Sequence, residues 1–372
     1  MTLLNQPSGI ETFSGSYRPQ DVRFLLKPID LAPVEVAEKE RLIQSGQHHY
    51  SEMLSPESLP SPRYLAVFQQ AFAMGRRRMA QGILDLAAII AARRPHGITL
   101  VSLARAGTPV GVLLKHVLTE VFGRDPAHYS ISIIRDRGID TNALRFILSQ
   151  AGQDPAGLVF VDGWTGKGVI ARELRQALDN FRQNHGVSLD ASLFALTDLA
   201  GAGVAPSDED YLIPSSILNA TISGLVSRSV LNDQTGPNDF HGCVYYEEFA
   251  PADRSVWFVE VLLREVRALL AEGYAPCPLP VDPAPAQRRS ADLLTSIRDT
   301  FGIDNPNFIK PGIGEATRVL LRRLPERVII CDTEAPEVAH LLQLAHEKGV
   351  QWQVDSDLPY HAVSLIQGLS DA

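Results

Sequence analysis

Apolar residues along this chain switch repeatedly between two periods. Over 64–94 (YLAVFQQAFAMGRRRMAQGILDLAAIIAARR) they recur at helical spacing, which predicts a helix with one core-facing stripe. Residues 97–103 (GITLVSL) follow as a short apolar run, as expected of a strand buried on both faces. The exchange continues with a helix over 111–121, a strand over 128–134, a helix over 141–150, a strand over 157–161, a helix over 168–185 and a strand over 192–196. This alternation predicts a mostly parallel sheet with helices on both faces. Ligands bind such sheets beyond the carboxyl ends of the strands, so the loops there are the first places to look for chemistry.

Residues 274–290 (YAPCPLPVDPAPAQRRS) break the alternation with prolines at 276, 278, 280, 283 and 285. Such a run predicts an extended spacer. It divides the chain into a first unit, 1–274, a linker, 275–290, and a second unit, 291–372. In the second unit the pattern predicts a helix over 313–323, a strand over 327–331, a helix over 336–348 and a strand over 350–354, a small α/β module.

Composition narrows the function classes. The 372 residues are 45% hydrophobic and 21% charged, enough apolar material for a full core. A net charge of −9 argues against a broad electrostatic grip on nucleic acid or anionic membrane, so any phosphate site must be local. Cys243, Cys277 and Cys331 are far apart and form no CxxC pair, which points to a reducing compartment. The N-terminal segment MTLLNQPSGIETFSGSY has no basic stretch followed by an apolar run, and no stretch of about 18 apolar residues occurs anywhere. A cytoplasmic protein with no membrane partner is expected.

Three loops carry candidate chemistry. The strand 157–161 ends in Asp162-Gly163-Trp164-Thr165-Gly166-Lys167-Gly168 and opens into a helix. Backbone N–H groups of such a turn suit a phosphate, and an acid at a strand end can hold ribose hydroxyls or a metal; the alternative is an ordinary strand-to-helix turn. A Walker A loop is excluded, because it needs Gly at Val161 and Ser or Thr at Gly168. The strand ending at Leu103 is followed by Ala104-Arg105-Ala106-Gly107-Thr108, small residues around one cation. The strand 128–134 is followed by Arg135-Asp136-Arg137-Gly138, two arginines that could neutralise a departing diphosphate or simply face solvent.

The stretch 158–170 resembles the phosphoribosyl pyrophosphate (PRPP) loop of type I phosphoribosyltransferases. Carried over by position, Asp162 would hold the ribose, and Gly163, Thr165, Gly166, Lys167 and Gly168 would cradle the 5-phosphate. The resemblance makes Ala104, Arg105, Ala106 and Gly107 a pyrophosphate loop, and Arg105, Arg135 and Arg137 its charge partners. That family has two adjacent acids where this chain has Asp162 and Gly163.

Further segments, among them 46–54 (GQHHYSEML), 223–228 (SGLVSR) and 239–243 (DFHGC), resemble the phosphoribosyltransferase-like proteins found with tellurite-resistance stress systems. That family also carries a cysteine-protease label, StiP, and ends in a Pelota-type RNA-binding domain. The resemblance implies a type I phosphoribosyltransferase-like sheet plus a small Pelota-like α/β domain. It implies an enzyme using PRPP and Mg²⁺ on a base-like acceptor, in nucleoside-like metabolite synthesis linked to stress. A non-catalytic nucleotide or PRPP sensor with an RNA-binding module is the alternative, and a cysteine protease the third reading. In the second unit Glu315, Thr317 and Arg318 match the Pelota-type RNA contact, with Gly314 where Asn is usual; yet from Ile313 onward 9 acids face 5 Lys and Arg. A protease would draw on Cys243 with His241 two residues away, although no papain-type C-G-S-C-W context surrounds it.

Overall fold

The strands predicted in the first unit lie side by side. A computed structural model of the chain describes residues 12–366; the N-terminal segment 1–11, read above for a leader, and residues 367–372 lie outside the described residues. Strands β1 (Arg23–Leu25), β2 (Thr99–Leu103), β3 (Ala127–Ile131), β4 (Leu158–Val161) and β5 (Leu193–Phe194) form one sheet in the order β1-β3-β2-β4-β5. Every pairing in it is parallel.

Side-chain alternation assigns the two faces. Leu100, Val159 and Val161 point toward helices α1 (Pro62–Arg93), α2 (Thr108–Phe122) and α4 (Ser255–Ala271), while Val101, Leu103, Leu158 and Phe160 point toward α3 (Val169–His185) and the turn of helix at Thr141–Arg145. Both faces are therefore covered, and that is why a strand such as Leu158–Val161 reads as an unbroken apolar run. The expected mixed α/β architecture with a mostly parallel central sheet is what the chain adopts. Helix α4 and strand β1 are absent from the sequence expectation.

The proline run is extended only in its first part. Helix α5 (Pro283–Phe301) begins inside the predicted spacer, its N-terminus capped by the Asp282 side chain accepting from Ala284 N–H at 3.1 Å. Pro283 and Pro285 sit in the first turn, where a missing N–H costs nothing, so they start the helix instead of barring it.

The second sheet holds β6 (Ile309–Pro311), β7 (Pro325–Ile330), β8 (Gln351–Val354) and β9 (Ala362–Ile366) in the order β6-β9-β7-β8. Strand β9 is antiparallel to both neighbours, while β7 and β8 are parallel. Helices α6 (Ile313–Arg322) and α7 (Ala339–Glu347) pack on it. Ile313, Ala316 and Leu320 of α6 join the same apolar cluster as Tyr211, Leu212 and Ile213, so the second unit is seated on the first through a continuous core.

Candidate functional site

The three glycine-containing loops do gather beyond the carboxyl ends of β2, β3 and β4, but protein groups occupy them. In the loop after β2, Ala104 N–H donates to Ile131 O (2.8 Å) and Gly107 N–H to Leu103 O (3.0 Å). Ala106 lies against Gly163, whose added Cβ would meet Ala106 O at 3.4 Å. The Arg105 guanidinium is buried, donating to both Glu57 oxygens (3.1 and 3.0 Å) and to Val226 O (2.9 Å). Expected to face an anion, Arg105 is instead half of a buried ion pair, because Glu57 arrives from a segment distant in sequence. Arg135 donates to Asp136 (3.2 Å) and stacks on Tyr50, and Arg137 donates to Glu52 (3.3 Å).

In the loop after β4, Trp164–Thr165 pairs in parallel with Thr197–Asp198, and the Thr165 hydroxyl donates to the Asp198 carboxylate. Gly168 lies at φ +66° as the residue capping α3, with no room for a side chain beside Ala202. Gly166 permits a close approach of another kind: a Cβ there would lie 3.1 Å from Glu315 Cγ and 3.2 Å from Pro311 O. The predicted cradle is thus covered by the start of α6. Arg318 lies over the Trp164 ring at 5.5 Å and donates to Glu315 at 3.2 Å. Lys167 donates to Pro306 O, and its ammonium is pushed down to about 7, by burial first and by Lys310 second.

Asp162 accepts from Gly163 N–H at 2.8 Å, and burial pushes its carboxyl up to about 6. A carboxyl raised on folding makes the native state take up protons, so its contribution to stability is lost as pH rises through about 6. Asp162→Asn keeps the acceptor oxygen and removes the charge. It is expected to raise stability at pH 8 by on the order of 1–3 kcal/mol and to leave it unchanged near pH 4. Urea denaturation at both values checks this; an equal change at both would refute it.

Of the residues expected to meet RNA, Thr317 faces inward, while Glu315 and Arg318 are partly exposed. Thr317 is buried, its hydroxyl within 2.7 Å of both Ile313 O and His340 Nε2, and Glu315 and Arg318 meet the first unit as described. Helix α6 turns this surface toward the loop after β4 because its apolar stripe is buried there.

The three thiols differ. Cys243 is fully buried in the apolar core and burial pushes it up to about 12, the state of an inert structural thiol. His241 is engaged elsewhere: its Nδ1 bonds the Ser132 hydroxyl (2.8 Å) and its backbone N–H donates to Asp140 (2.6 Å). Cys277 is exposed, with its N–H on Asp85 (2.8 Å). Cys331 follows β7, is partly exposed, and has its Sγ 3.6 Å from His361 Nδ1. His361 immediately precedes β9, and its N–H donates to the Asp210 carboxylate at 2.9 Å. Asp210 also accepts from Ile313 N–H at 3.0 Å, and burial pushes it up to about 6. This group escapes the sequence reading because β9 is not predicted and only its pairing with β7 brings residues 331 and 361 together.

Among the described residues no group of three or more His, Cys, Asp or Glu is placed to hold a metal ion, and no helix is long and apolar enough to cross a membrane.

A parallel α/β unit with a small mixed-sheet unit packed over its loops is the class of protein defined here. Residues 15–263 match the family described as "Tellurite-like stress resistance cysteine protease StiP", and residues 288–368 match the PELOTA RNA binding domain. The chain belongs to the StiP family. A protein of Acinetobacter baylyi (strain ATCC 33305 / BD413 / ADP1) named "Cysteine protease StiP" is 41% identical over 387 residues, covering 99% of each chain. A solved structure described as Pyrococcus protein-A1 aligns at a TM-score of 0.22 with 11% identity, over 75% of this chain and 69% of that one, too distant to support an argument. These names overturn the expectation of a PRPP-dependent transferase in favour of the third reading, a cysteine protease. The Mg²⁺ expected with PRPP loses its argument with it.

Proposed function

We propose that this chain is a cysteine peptidase of the cytoplasm, with a first unit on a type I phosphoribosyltransferase-like scaffold and a second unit joined to it through 275–290. The observation that carries the reading is the 41% identity, along 99% of both chains, with a protein named as a cysteine protease. The scaffold reading is supported by the all-parallel sheet with its loops gathered at one edge, and the compartment by three cysteines that are all free. Peptide hydrolysis by a thiol needs a sulfur that can lose its proton to a neighbouring base and still reach a substrate carbonyl. The test is hydrolysis of an unfolded protein by the purified chain. Cleavage that alkylation with iodoacetamide removes is expected; cleavage indifferent to alkylation would refute the thiol chemistry.

A second reading, contact with RNA, is favoured by the match of residues 288–368. With Thr317 buried and Glu315 and Arg318 paired beside the loop after β4, such contact would fall on another face of the unit. Binding of a single-stranded RNA that weakens as salt rises supports it, and no binding at low salt excludes it.

A further inference from the structure

Hydrolysis by a thiol requires a nucleophile, a base within reach and an open approach, and one pair of side chains offers all three. Cys331 and His361 are directly opposed at the end of the β7–β9 pairing: Cys331 N–H donates to His361 O at 3.1 Å, and the side chains lie on the same side with Sγ 3.6 Å from Nδ1. That separation is hydrogen-bond reach for sulfur, and both residues are partly exposed where the strands end. Their positions are held from two directions. The ladder fixes both backbones, and Asp210, from the first unit, accepts the His361 N–H while also tying down the start of α6.

We propose that Cys331 is the nucleophile and His361 the general base of this peptidase, acting on polypeptide segments that carry Lys or Arg beside the scissile bond; this rests on the cysteine-peptidase reading. The thiol is protonated at rest. Burial, and then the Asp332 carboxylate, hold its pKa up, with Asp210 adding to the effect, while the backbone N–H groups of Cys331 and Asp332 oppose it. The reaction is therefore general-base attack. As sulfur bonds to the substrate carbonyl carbon, its proton passes to His361 Nδ1 and the carbonyl electron pair moves onto oxygen. Collapse of that oxyanion breaks the C–N bond, and the amine leaves with the proton from Nδ1. Water then adds to the thioester, giving its proton to His361, which returns it to the departing Cys331 sulfur.

The carboxylates around the pair select the substrate. The loop carrying Cys331 includes Asp332 and Glu334, and the loop leading to His361 includes Asp355 and Asp357, with no Lys or Arg in 331–338 or 355–361. Asp355 is tied to this end of the sheet by its N–H to Ile330 O at 2.9 Å. A cationic side chain beside the scissile bond is attracted to this rim.

The full-length chain tests this with two readouts. The first is hydrolysis of fluorogenic peptides that differ only in Lys or Glu beside the scissile bond. Cys331→Ala is expected to lower kcat/KM by at least about 1,000-fold, His361→Gln by a similar order, and Cys243→Ala by less than about 3-fold, with the Lys peptide preferred in the wild type. The second is the rate of iodoacetamide alkylation at Cys331 between pH 6 and 9, read by mass spectrometry, which His361→Gln should slow at neutral pH if the imidazole takes the thiol proton. A merely structural pairing would leave that rate unchanged or raise it through local opening, and either result overturns the assignment. Hydrolysis that survives Cys331→Ala also overturns it while leaving the peptidase reading intact; a wild type that hydrolyses no peptide or protein overturns both.

Discussion

Glu57→Ala is expected to cost about 3–5 kcal/mol of stability, because it leaves the Arg105 guanidinium charged and unpaired in the interior. Arg105 is 9% exposed and Glu57 12% at their side chains, so water cannot take over the missing contact. Glu57 also accepts the Ala220 N–H at 2.6 Å, which adds an orphaned backbone donor. Glu57→Gln keeps an acceptor for that donor and loses only the charge, so an intermediate loss is expected. Urea denaturation followed by circular dichroism reads both; a loss below about 1 kcal/mol for the alanine variant would mean that Arg105 is not held as described. An arginine available for a departing diphosphate should instead tolerate the change.

Asp210→Ala is expected to cost about 3–5 kcal/mol as well, with a different signature. The carboxylate takes the N–H groups of Ile313 and His361, and with it gone one buried and one partly buried donor lose their acceptor at roughly 1–3 kcal/mol each. Both donors belong to the second unit and the acceptor to the first, so the loss falls on the seam between them. Thermal unfolding should broaden or split into two steps as the second unit separates early. Peptidase activity should fall in parallel, because the His361 backbone loses its anchor while Cys331 keeps its own. A single sharp transition at the wild-type temperature would show that the apolar contacts of α6 alone hold the seam.

The alternation of periods from residue 64 to 196 carries most of the first unit. A strand such as Leu158–Val161, buried on both faces, has no polar position to confuse it with a surface helix, and Gly168 and the apolar face of 169–185 mark where the chain turns back. What the local pattern could not convey is pairing at a distance. Strand β1 is three residues long and owes its place to β3, and Ala362–Ile366 is placed by its pairing with β6 and β7. The prolines at 283 and 285 carry two opposite local meanings, spacer or helix start, and Asp282 as a cap settles between them.

Chemistry divides along the same line. The sequence by itself determined a parallel α/β sheet, a second small module, and loops rich in glycine and arginine beyond the strand ends, because these follow from periods and composition within short windows. Only the tertiary structure decided what those residues meet. Arg105 faces Glu57 from 48 positions away; Glu315 covers Gly166; Cys243, close in sequence to His241, is sealed in apolar core, while Cys331 finds its imidazole 30 residues on. A side chain's partner is set by strand register and helix packing, which sum over the whole chain, and reactivity depends on that partner and on burial rather than on proximity in the sequence.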